Sequence, residues 1–259
     1  MRSKSSRMSE DARLLDIFFD VQRGLPRQGP GSDASTLRAL ALCPNVPRAP
    51  AILDVGCGPG MQTVALARAT GGTVTAADTS NEYLAQLAAR AEAQGMADCI
   101  VPLAADMNAL PVAPASFDLV WSEGAAYIMG FANALAAWRT FLKPQGALAV
   151  SELVWLRPDP PAEAAGFFAE SYPGMTDIAR VDGMLRAAGY APVAHFVLPD
   201  SDWWDHYYTP LVAKLPALAE KYRDDAEAAA VVRATAQEID IRRRFGDSYG
   251  YVFFVATMA

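Results

Sequence analysis

The chain has 259 residues, a length that suits one large α/β domain or two small ones. Apolar residues make up 52% of the chain and charged residues 20%, so a packed core is expected rather than a disordered chain. The formal net charge of −7 disfavours a nucleic-acid partner, which would need a basic surface. The densest basic cluster, Arg242, Arg243 and Arg244, is interpreted as a solvated helix end. No run of about 18 apolar residues occurs, so no membrane partner is expected.

The N-terminus and the cysteines bear on where the protein works. Residues 1–7 are basic and serine-rich, but no apolar stretch follows them, so a disordered tail is expected and a secretory signal is not. Cys43, Cys57 and Cys99 form no Cys-x-x-Cys pair, which indicates neither a disulfide framework nor a cysteine-rich zinc site. We therefore expect a cytoplasmic protein without a metal.

Two helices are predicted before the first strand. Apolar residues fall on one broad face over 11–23. The link that follows, 24–31, is rich in glycine and proline and cannot continue a helix. Ser32 or Asp33 can cap the second helix, and a proline-rich connector leads from it to the first strand.

From residue 51 onwards strands and helices alternate, which predicts a mainly parallel sheet covered on both faces. The predicted strands are 51–55, 73–77, 99–104, 117–122, 147–156, 192–198 and 250–257. The predicted helices are 61–70, 81–94, 132–142 with a cap near Asn133, 177–188 ending at Gly189, and a helical insert at 203–245. A turn is predicted at 143–146, and no element is assigned between residues 157 and 176.

The sharpest motif is Asp-Val-Gly-Cys-Gly-Pro-Gly at residues 54–60, where the first strand ends and a helix begins. Glycine lets the backbone turn tightly and approach a ligand, and a helix N-terminus presents free N–H groups. The dinucleotide fingerprint Gly-x-Gly-x-x-Gly is not matched, because position 61 is Met and the third glycine stands one residue early. A ligand without a pyrophosphate is therefore indicated, with Asp54 orienting the loop or reaching an ammonium group through water.

Two further carboxylates follow the next two strands. Asp78 can accept hydrogen bonds from ribose hydroxyls, although a helix cap before Thr79 is an alternative interpretation. Asp106 can accept the amine of adenine while Met107 packs on the ring, although it could equally be an ordinary loop residue. Because the carboxyl ends of parallel strands share one edge of a sheet, three acidic residues there favour a nucleoside site.

These motifs, with Ser-Phe-Asp-Leu-Val at 116–120 and Leu-Lys-Pro-Gln-Gly at 142–146, resemble the class I S-adenosylmethionine (SAM)-dependent methyltransferases, close to their ubiquinone-biosynthesis-like branch. The likeness covers about residues 50–156 by motif, and Gln145 replaces the glycine usual in that turn. It implies a Rossmann-like, seven-stranded, mainly parallel sheet with the last strand antiparallel, helices on both faces and a partly helical cap. The resemblance also implies that the cofactor binds at the following residues or directly beside them: Asp54, Gly56, Cys57, Gly58, Gly60, Asp78, Thr79, Asp106, Met107 and Ser122.

A smaller group of bacterial proteins shares two further segments with this chain. Arg-Gln-Gly-Pro-Gly at 27–31 and Ser-Glu-Gly-Ala at 122–125 carry that resemblance. It implies no substrate, but it suggests that residues 28–31 lie over the cofactor as part of a lid. Gln28 and Gly29 are therefore added to the expected cofactor contacts.

Methyl transfer can rely largely on positioning and desolvation, and a base is needed only if the acceptor loses a proton early. Glu123 is the best-placed candidate base, and its structural alternative is an acceptor of backbone hydrogen bonds. His206 is a second candidate, although a histidine among aromatic residues is more often a packing residue.

An aromatic segment at 202–208 could cover a small acceptor or form a cage for a cationic nitrogen. The alternative is that its rings only attach the helical insert to the sheet. The candidate pocket residues are Tyr127, Tyr172, Trp203, Trp204 and Tyr207.

The sequence therefore predicts a single domain that transfers a methyl group from SAM to a small molecule and releases S-adenosylhomocysteine (SAH). A non-catalytic SAM-binding protein and an aminopropyl or carboxymethyl transferase are the alternatives. The oligomeric state stays open, with a homodimer as one option. The expected core comprises 46–156, 177–202 and 246–259, and the expected cap comprises 8–45, 157–176 and 203–245.

Overall fold

The computed structural model describes residues 13, 14 and 16–259. The predicted tail at 1–7, the beginning of the first predicted helix and Leu15 lie outside this part of the chain. Helix α1 covers 16–22 and is followed by the Gly/Pro-rich link. Helix α2, Asp33–Leu42, begins at Ser32, whose side chain accepts a hydrogen bond from the backbone N–H of Ser35.

Eight strands and eight further helices follow in chain order. The strands are β1 Ala51–Val55, β2 Thr73–Asp78, β3 Ile100–Ala104, β4 Phe117–Glu123, β5 Leu142–Trp155, β6 Thr176–Asp177, β7 Tyr190–Val197 and β8 Tyr249–Met258. The helices are α3 Met61–Thr70, α4 Asn81–Ala93, α5 Phe131–Arg139, α6 Ala162–Ser171, α7 Ile178–Ala187, α8 Asp200–Trp203, α9 Thr209–Lys221 and α10 Ala226–Phe245. A π-helical turn, Trp204–Tyr208, joins α8 to α9.

The strands form one sheet in the order β3-β2-β1-β4-β5-β8-β7, with the two-residue β6 added beside β5. Strands β1 to β5 pair in parallel, whereas β8 is antiparallel to both β5 and β7. The predicted Rossmann-like sheet with an antiparallel last strand is confirmed. The strand order reverses between β1 and β4, and ligands of such sheets bind outside the carboxyl ends at this switch point.

Apolar side chains cover both faces of the sheet and form a third cluster beside it. Successive strand residues point to opposite faces, so Ile52 packs with Leu66 and Leu87, while Leu53 packs with Trp138 and Leu185. Residues of α1, α6 and α8 to α10 form the third cluster, which contains Val21, Phe168, Trp203, Leu211 and Ile239.

The division into core and cap stays a prediction, but one part of the expected cap packs directly on the sheet. Ala39 and Cys43, in and just after α2, belong to the same cluster as Ile52.

The structure changes four local predictions. Helix α5 begins after Gly130, and Asn133 donates to the carbonyl of Met129 from within its first turn. Residues 143–146 form an irregularity within β5, because the pairing with β4 passes from Leu142 directly to Ala147. Helix α6 occupies a region where no element was expected. Arg242 is buried, with its guanidinium 4.0 Å from the ring centroid of Trp203, so the basic cluster is only partly solvated.

None of the helices in the described part of the chain is long and apolar enough to cross a membrane.

Candidate active site

A cavity of about 600 Å³ lies at the carboxyl ends of the central strands. The loop after β1 and the end of β2 line one part, and aromatic residues of α6, α8, the π-helical turn and β8 line another, together with Glu238 of α10. Its volume falls within the range of about 300–1,000 Å³ typical of small-molecule sites. The cavity therefore coincides with the ligand position that the strand order predicts.

The glycine loop forms the floor of this cavity. Gly56 has φ +72°, and the backbone N–H groups of Gly56 and Cys57 both donate to the carbonyl of Ala77. A Cβ atom on Gly56 would lie 2.5 Å from Cβ of Ala125, so a side chain does not fit there. Gly58 also has a positive φ of 53° and lines the cavity. Glycine at these positions thus lets bare backbone face the ligand.

Gly60 has a different role from the one expected. It lies outside the cavity lining and caps α3 with φ +79°. A Cβ atom there would collide with the side chain of Leu87 at 2.1 Å. The absence of a side chain at Gly60 therefore allows α4 to pack closely against the loop.

Asp78 lines the cavity and also holds the glycine loop. Its two carboxylate oxygens accept hydrogen bonds from the backbone N–H groups of Gly58, at 2.9 Å, and Ser80, at 2.8 Å. Helix α4 is capped by Ser80 rather than by Asp78. Because a carboxylate offers about four acceptor positions, Asp78 retains capacity for ribose hydroxyls. Thr79 lines the cavity beside it.

Asp54 is fully buried beneath the loop and does not line the cavity. Its Oδ2 accepts a hydrogen bond of 2.6 Å from the hydroxyl of Thr63, and its Oδ1 has no partner in the described part of the chain. Burial raises the pKa of this carboxyl to about 7, and the negative charges of Glu123 and Asp78 add to the increase. Of the two predicted roles, orientation of the loop fits this position.

Two other expected cofactor residues lie beside the cavity, while Met107 lines it. Asp106 is exposed, and its Oδ1 accepts hydrogen bonds from the backbone and side-chain amide groups of Asn108. Ser122 is buried and donates to the carbonyl of Val55 at 2.9 Å. Asp106 therefore stabilises its own turn and Ser122 ties β4 to β1, so neither is in the position expected of a direct contact.

Residues 27–30 line the cavity, and the side chain of Gln28 lies next to Gly58 of the glycine loop. The expectation that residues 28–31 cover the cofactor as part of a lid stays a prediction. The side-chain oxygen of Gln28 accepts a 2.6 Å hydrogen bond from the hydroxyl of Tyr83, and Gln28 and Gly29 both line the cavity. The buried guanidinium of Arg27 donates to Glu123 at 2.9 Å and to Asp33 at 3.0 Å. An ion pair thus fastens this segment to the end of β4.

Glu123 has the contacts of a structural acceptor. Besides the bond from Arg27 to Oε2, its Oε1 accepts hydrogen bonds from the Thr36 hydroxyl at 2.6 Å and the Trp121 indole at 2.9 Å. Both oxygens are therefore engaged. Although Glu123 lines the cavity as expected, this geometry favours a structural role over a catalytic base, with side-chain donors in place of the expected backbone N–H groups.

The aromatic segment contributes only some of the expected residues. Trp203 and Tyr207 line the cavity, whereas Trp204 and His206 do not. Trp204 packs edge-on against Tyr208, with ring centroids 5.5 Å apart. The position of His206 outside the lining opposes a role as the base.

Tyr127 and Tyr172 both line the cavity and pack against each other with ring centroids 5.9 Å apart.

Sequence analysis missed two carboxylates in the cavity wall, the buried Glu152 and the partly buried Glu238. Glu152 on β5 accepts a 2.6 Å hydrogen bond from the hydroxyl of Tyr172. Glu238 on α10 accepts one of 2.7 Å from the hydroxyl of Tyr208. Burial raises the pKa of both carboxyl groups, that of Glu152 to about 7. Glu152 could have been found because it is a charged residue within the apolar run 147–156. Glu238 lies in a polar helix, where nothing in the sequence distinguishes it from the exposed carboxylates.

Within the described residues, no group of three or more His, Cys, Asp or Glu side chains has an arrangement that could hold a metal ion. The expectation that no metal is used stays a prediction.

Comparison with known proteins identifies the central part of the chain. Residues 52–146 match the methyltransferase domain family. Methyltransferase GfsG of Streptomyces halstedii is 35% identical over 104 residues, which cover 40% of this chain and 37% of that protein. A malonyl-[acyl-carrier protein] O-methyltransferase of Erwinia billingiae is 49% identical over 72 residues, covering 28% and 26%. These matches span well under half the length of either relative.

The fold as a whole also has relatives among solved structures. A SAM-dependent methyltransferase from Geobacter sulfurreducens in complex with SAH is 24% identical, with a TM-score of 0.78, over 94% of this chain and 98% of that one. At this identity the likeness shows a shared fold.

The sheet order, the glycine loop and the matched region together define a methyltransferase domain at 52–146. Residues 52–146 thus match the methyltransferase domain family, and the fold around them is shared with a SAM-dependent methyltransferase. The placement of this chain in the ubiquinone-biosynthesis-like branch stays a prediction.

Proposed function

We propose that this protein transfers a methyl group from SAM to a small-molecule acceptor and releases SAH. One observation carries the proposal: a single cavity joins the glycine loop and Asp78 to a second region lined by aromatic side chains. The first region suits a nucleoside, and the second leaves space for an acceptor beside it. Such a shared cavity is what direct transfer between two bound molecules requires.

The residues in the first region fit SAM. Backbone without side chains at Gly56 and Gly58 can lie against the methionine part, and Asp78 can accept the ribose hydroxyls. Met107 and Thr79 line the same region and are proposed to contact the adenine. When bound, SAM supplies a methyl group on a positively charged sulfur.

The chain itself contributes position and exclusion of water. Residues 27–30 cover the loop and are fastened through Arg27 to Glu123, so the segment can shield the reacting atoms from solvent. Glu123 then acts by holding this segment, because both of its oxygens already accept hydrogen bonds.

The alternatives receive less support from the cavity. A protein that only binds SAM would not need the second region, yet that region is open and lined by aromatic residues. A carboxymethyl transferase would need a free arginine near the sulfur. Arg27 is the one arginine among the described lining residues, and it is paired with Glu123 and Asp33.

The cysteines bear on where the reaction takes place. Cys43, Cys57 and Cys99 are free thiols, which suits a reducing compartment, and we place the reaction in the cytoplasm. The proposed reaction needs no metal.

The test is calorimetric binding of SAM, SAH and NAD to the wild-type protein, Asp78→Ala and Asp98→Ala. SAM and SAH are expected to bind with micromolar affinity, with no binding of NAD. Asp78→Ala should lose binding, while Asp98→Ala, an exposed carboxylate outside the cavity, should bind like wild type. Absence of binding to both SAM and SAH would overturn the proposal. If both bind, SAH release is then measured with small amines, alcohols and thiols as acceptors.

A further inference from the structure

The acceptor region of the cavity has an excess of negative charge. Glu152 and Glu238 both line it, and neither forms an ion pair within the described part of the chain. Arg27 is the one Lys or Arg in the described lining, and Glu123 and Asp33 already neutralise it. Two carboxylates therefore face the cavity with no protein cation beside them.

Both carboxylates are held in place by neutral groups. Glu152 is only 3% exposed, and the hydroxyl of Tyr172 is its one side-chain hydrogen-bond partner among the described residues. The Tyr208 hydroxyl is likewise the one such partner of Glu238. Burying a carboxylate costs free energy unless a charge or several hydrogen bonds compensate it. A phenol compensates this cost only in part, so each site would be stabilised by a cation from outside.

The other walls of this region are aromatic. Tyr127 packs against Tyr172, Tyr207 packs against Tyr208 at 4.9 Å, and Trp203 packs against Tyr251 at 5.5 Å between ring centroids. All six line the cavity. The faces of Tyr and Trp rings attract cations, and this attraction increases where water is excluded. Because the Arg242 guanidinium already lies over the ring of Trp203 at 4.0 Å, the tyrosine rings carry this argument.

We propose that the acceptor is a small amine that binds between Glu152, Glu238 and this group of aromatic rings. The inference rests on the proposed methyltransferase function and narrows its substrate class. The proposed acceptor differs in charge from the one named for the malonyl-[acyl-carrier protein] O-methyltransferase of Erwinia billingiae, because a malonyl group carries a carboxylate. Two unpaired carboxylates would repel such an anion, and like-charge contacts of this kind disfavour a wrong partner.

The chemistry of the step is balanced with SAM as the methyl donor. The lone pair of the neutral amine forms a bond to the methyl carbon as the bond between that carbon and sulfur breaks. The electron pair of the broken bond stays on sulfur, which becomes the neutral thioether of SAH. The neutral amine arises when the bound ammonium gives one proton to Glu152, whose carboxyl pKa of about 7 allows proton uptake near neutrality. The methylated nitrogen then carries the positive charge and leaves as a cation, and Glu152 returns its proton to solvent.

The test compares probes of equal size on protein saturated with SAH. Phenethylamine, 2-phenylethanol and phenylacetate are titrated by calorimetry into wild type, Glu152→Gln, Glu238→Gln and Glu163→Gln. Glu163 on α6 is an exposed carboxylate outside the cavity and serves as the matched control. Phenethylamine is expected to bind wild type at least tenfold more tightly than the other probes. Each cavity variant should weaken amine binding at least tenfold, and the control should not change it.

The outcomes distinguish the two proposals. If SAH binds and phenethylamine does not exceed phenylacetate, the amine proposal is overturned while the methyltransferase proposal stands. The same conclusion follows if amine binding is unaffected in both cavity variants. If SAH does not bind wild type, the proposed function itself fails. The wild-type comparison needs no variant, so it decides the question even if a substitution prevents folding.

Discussion

At Gly56 the backbone conformation and the surroundings both require glycine. Its φ of +72° costs an L-residue about 1–2 kcal/mol, and a Cβ atom would lie 2.5 Å from Ala125. We expect Gly56→Ala to lower the free energy of unfolding by about 2 kcal/mol and to weaken SAH binding at least tenfold. Urea unfolding and calorimetry measure the two effects.

The matched control for this substitution is Gly183→Ala. Gly183 lies within α7, and a Cβ atom there would meet no atom within 4 Å. This substitution should raise the free energy of unfolding by about 0.4–1 kcal/mol and leave SAH binding unchanged. Wild-type SAH affinity in Gly56→Ala would show that the loop does not need bare backbone at this position.

The ionisation of Glu152 determines how the affinity for a permanently charged cation should change with pH. Its pKa is raised to about 7 by burial, so it is ionised above this pH and neutral below it. Tyr172, which donates to Glu152, and Tyr127 and Tyr251, whose pKa values the charge of Glu152 raises, stay neutral because burial raises the pKa values of all three phenols. Affinity for phenyltrimethylammonium on SAH-saturated protein should therefore fall several-fold as the pH drops from 8 to 6.

The control for the pH experiment is Glu152→Gln, which removes this titration. Burial also raises the pKa of Glu238, so a smaller dependence should remain in the variant. An equal pH dependence in wild type and Glu152→Gln would assign the effect to another group.

At the scale of secondary-structure elements, one buried ion pair holds the segment at 27–30 against the end of β4. Arg27 and Glu123 are each about 5% exposed, and removing one partner of such a pair costs about 3–5 kcal/mol. Arg27→Met and Glu123→Gln should each destabilise the protein by about 3 kcal/mol. The double variant should lose less than the sum of the two, because it leaves no unpaired charge. Urea unfolding of all four proteins measures the coupling.

Arg23→Met is the control for this cycle, since Arg23 lies four residues before Arg27 in the chain but is half exposed. Its pairs with Asp20 and Glu82 lie at the surface and are worth about 0–1 kcal/mol. Strictly additive losses in the Arg27 and Glu123 variants would mean that the two side chains do not act together.

The elements that sequence analysis predicted well are those with a local pattern. Helix α3 was predicted with its observed bounds, because a glycine loop precedes it and Gly71 ends it. Helix α6 was missed, since the prolines before it indicated a loop and its aromatic residues show no clear period. A turn was predicted at 143–146 from Lys-Pro-Gln-Gly, and the structure places there an irregularity of β5 in which Gln145 has a positive φ of 67°.

The parts of the candidate site that are formed by residues close together in the chain could be predicted from the sequence. The glycine loop and Asp78 follow from their positions at strand ends. The roles of Arg27 and Glu123 were not predictable, because these residues are 96 positions apart and only the folded chain brings them together. The same reason applies to Glu238, whose position in the cavity wall depends on the packing of α10 beside α8 and β8.

For the whole molecule, the position of the site predicts a large effect of the cofactor product on stability. The cavity is lined by α1, the 27–30 segment, four strand ends, α6, α8 and α10, so a ligand there contacts elements from most of the chain. A ligand that binds only the folded state at 100 times its Kd adds about 2.7 kcal/mol to the free energy of unfolding.

We therefore expect SAH at 100 times its Kd to raise the Tm by about 5–10 °C, since about 1 kcal/mol corresponds to about 2–4 °C at this chain length. Differential scanning calorimetry measures the shift, with NAD at the same concentration as the control. Asp78→Ala should show no shift with SAH, because the carboxylate that holds both the loop and the ribose is gone. A shift of equal size in Asp78→Ala would place SAH outside the cavity, because binding there depends on the loop that Asp78 holds through Gly58.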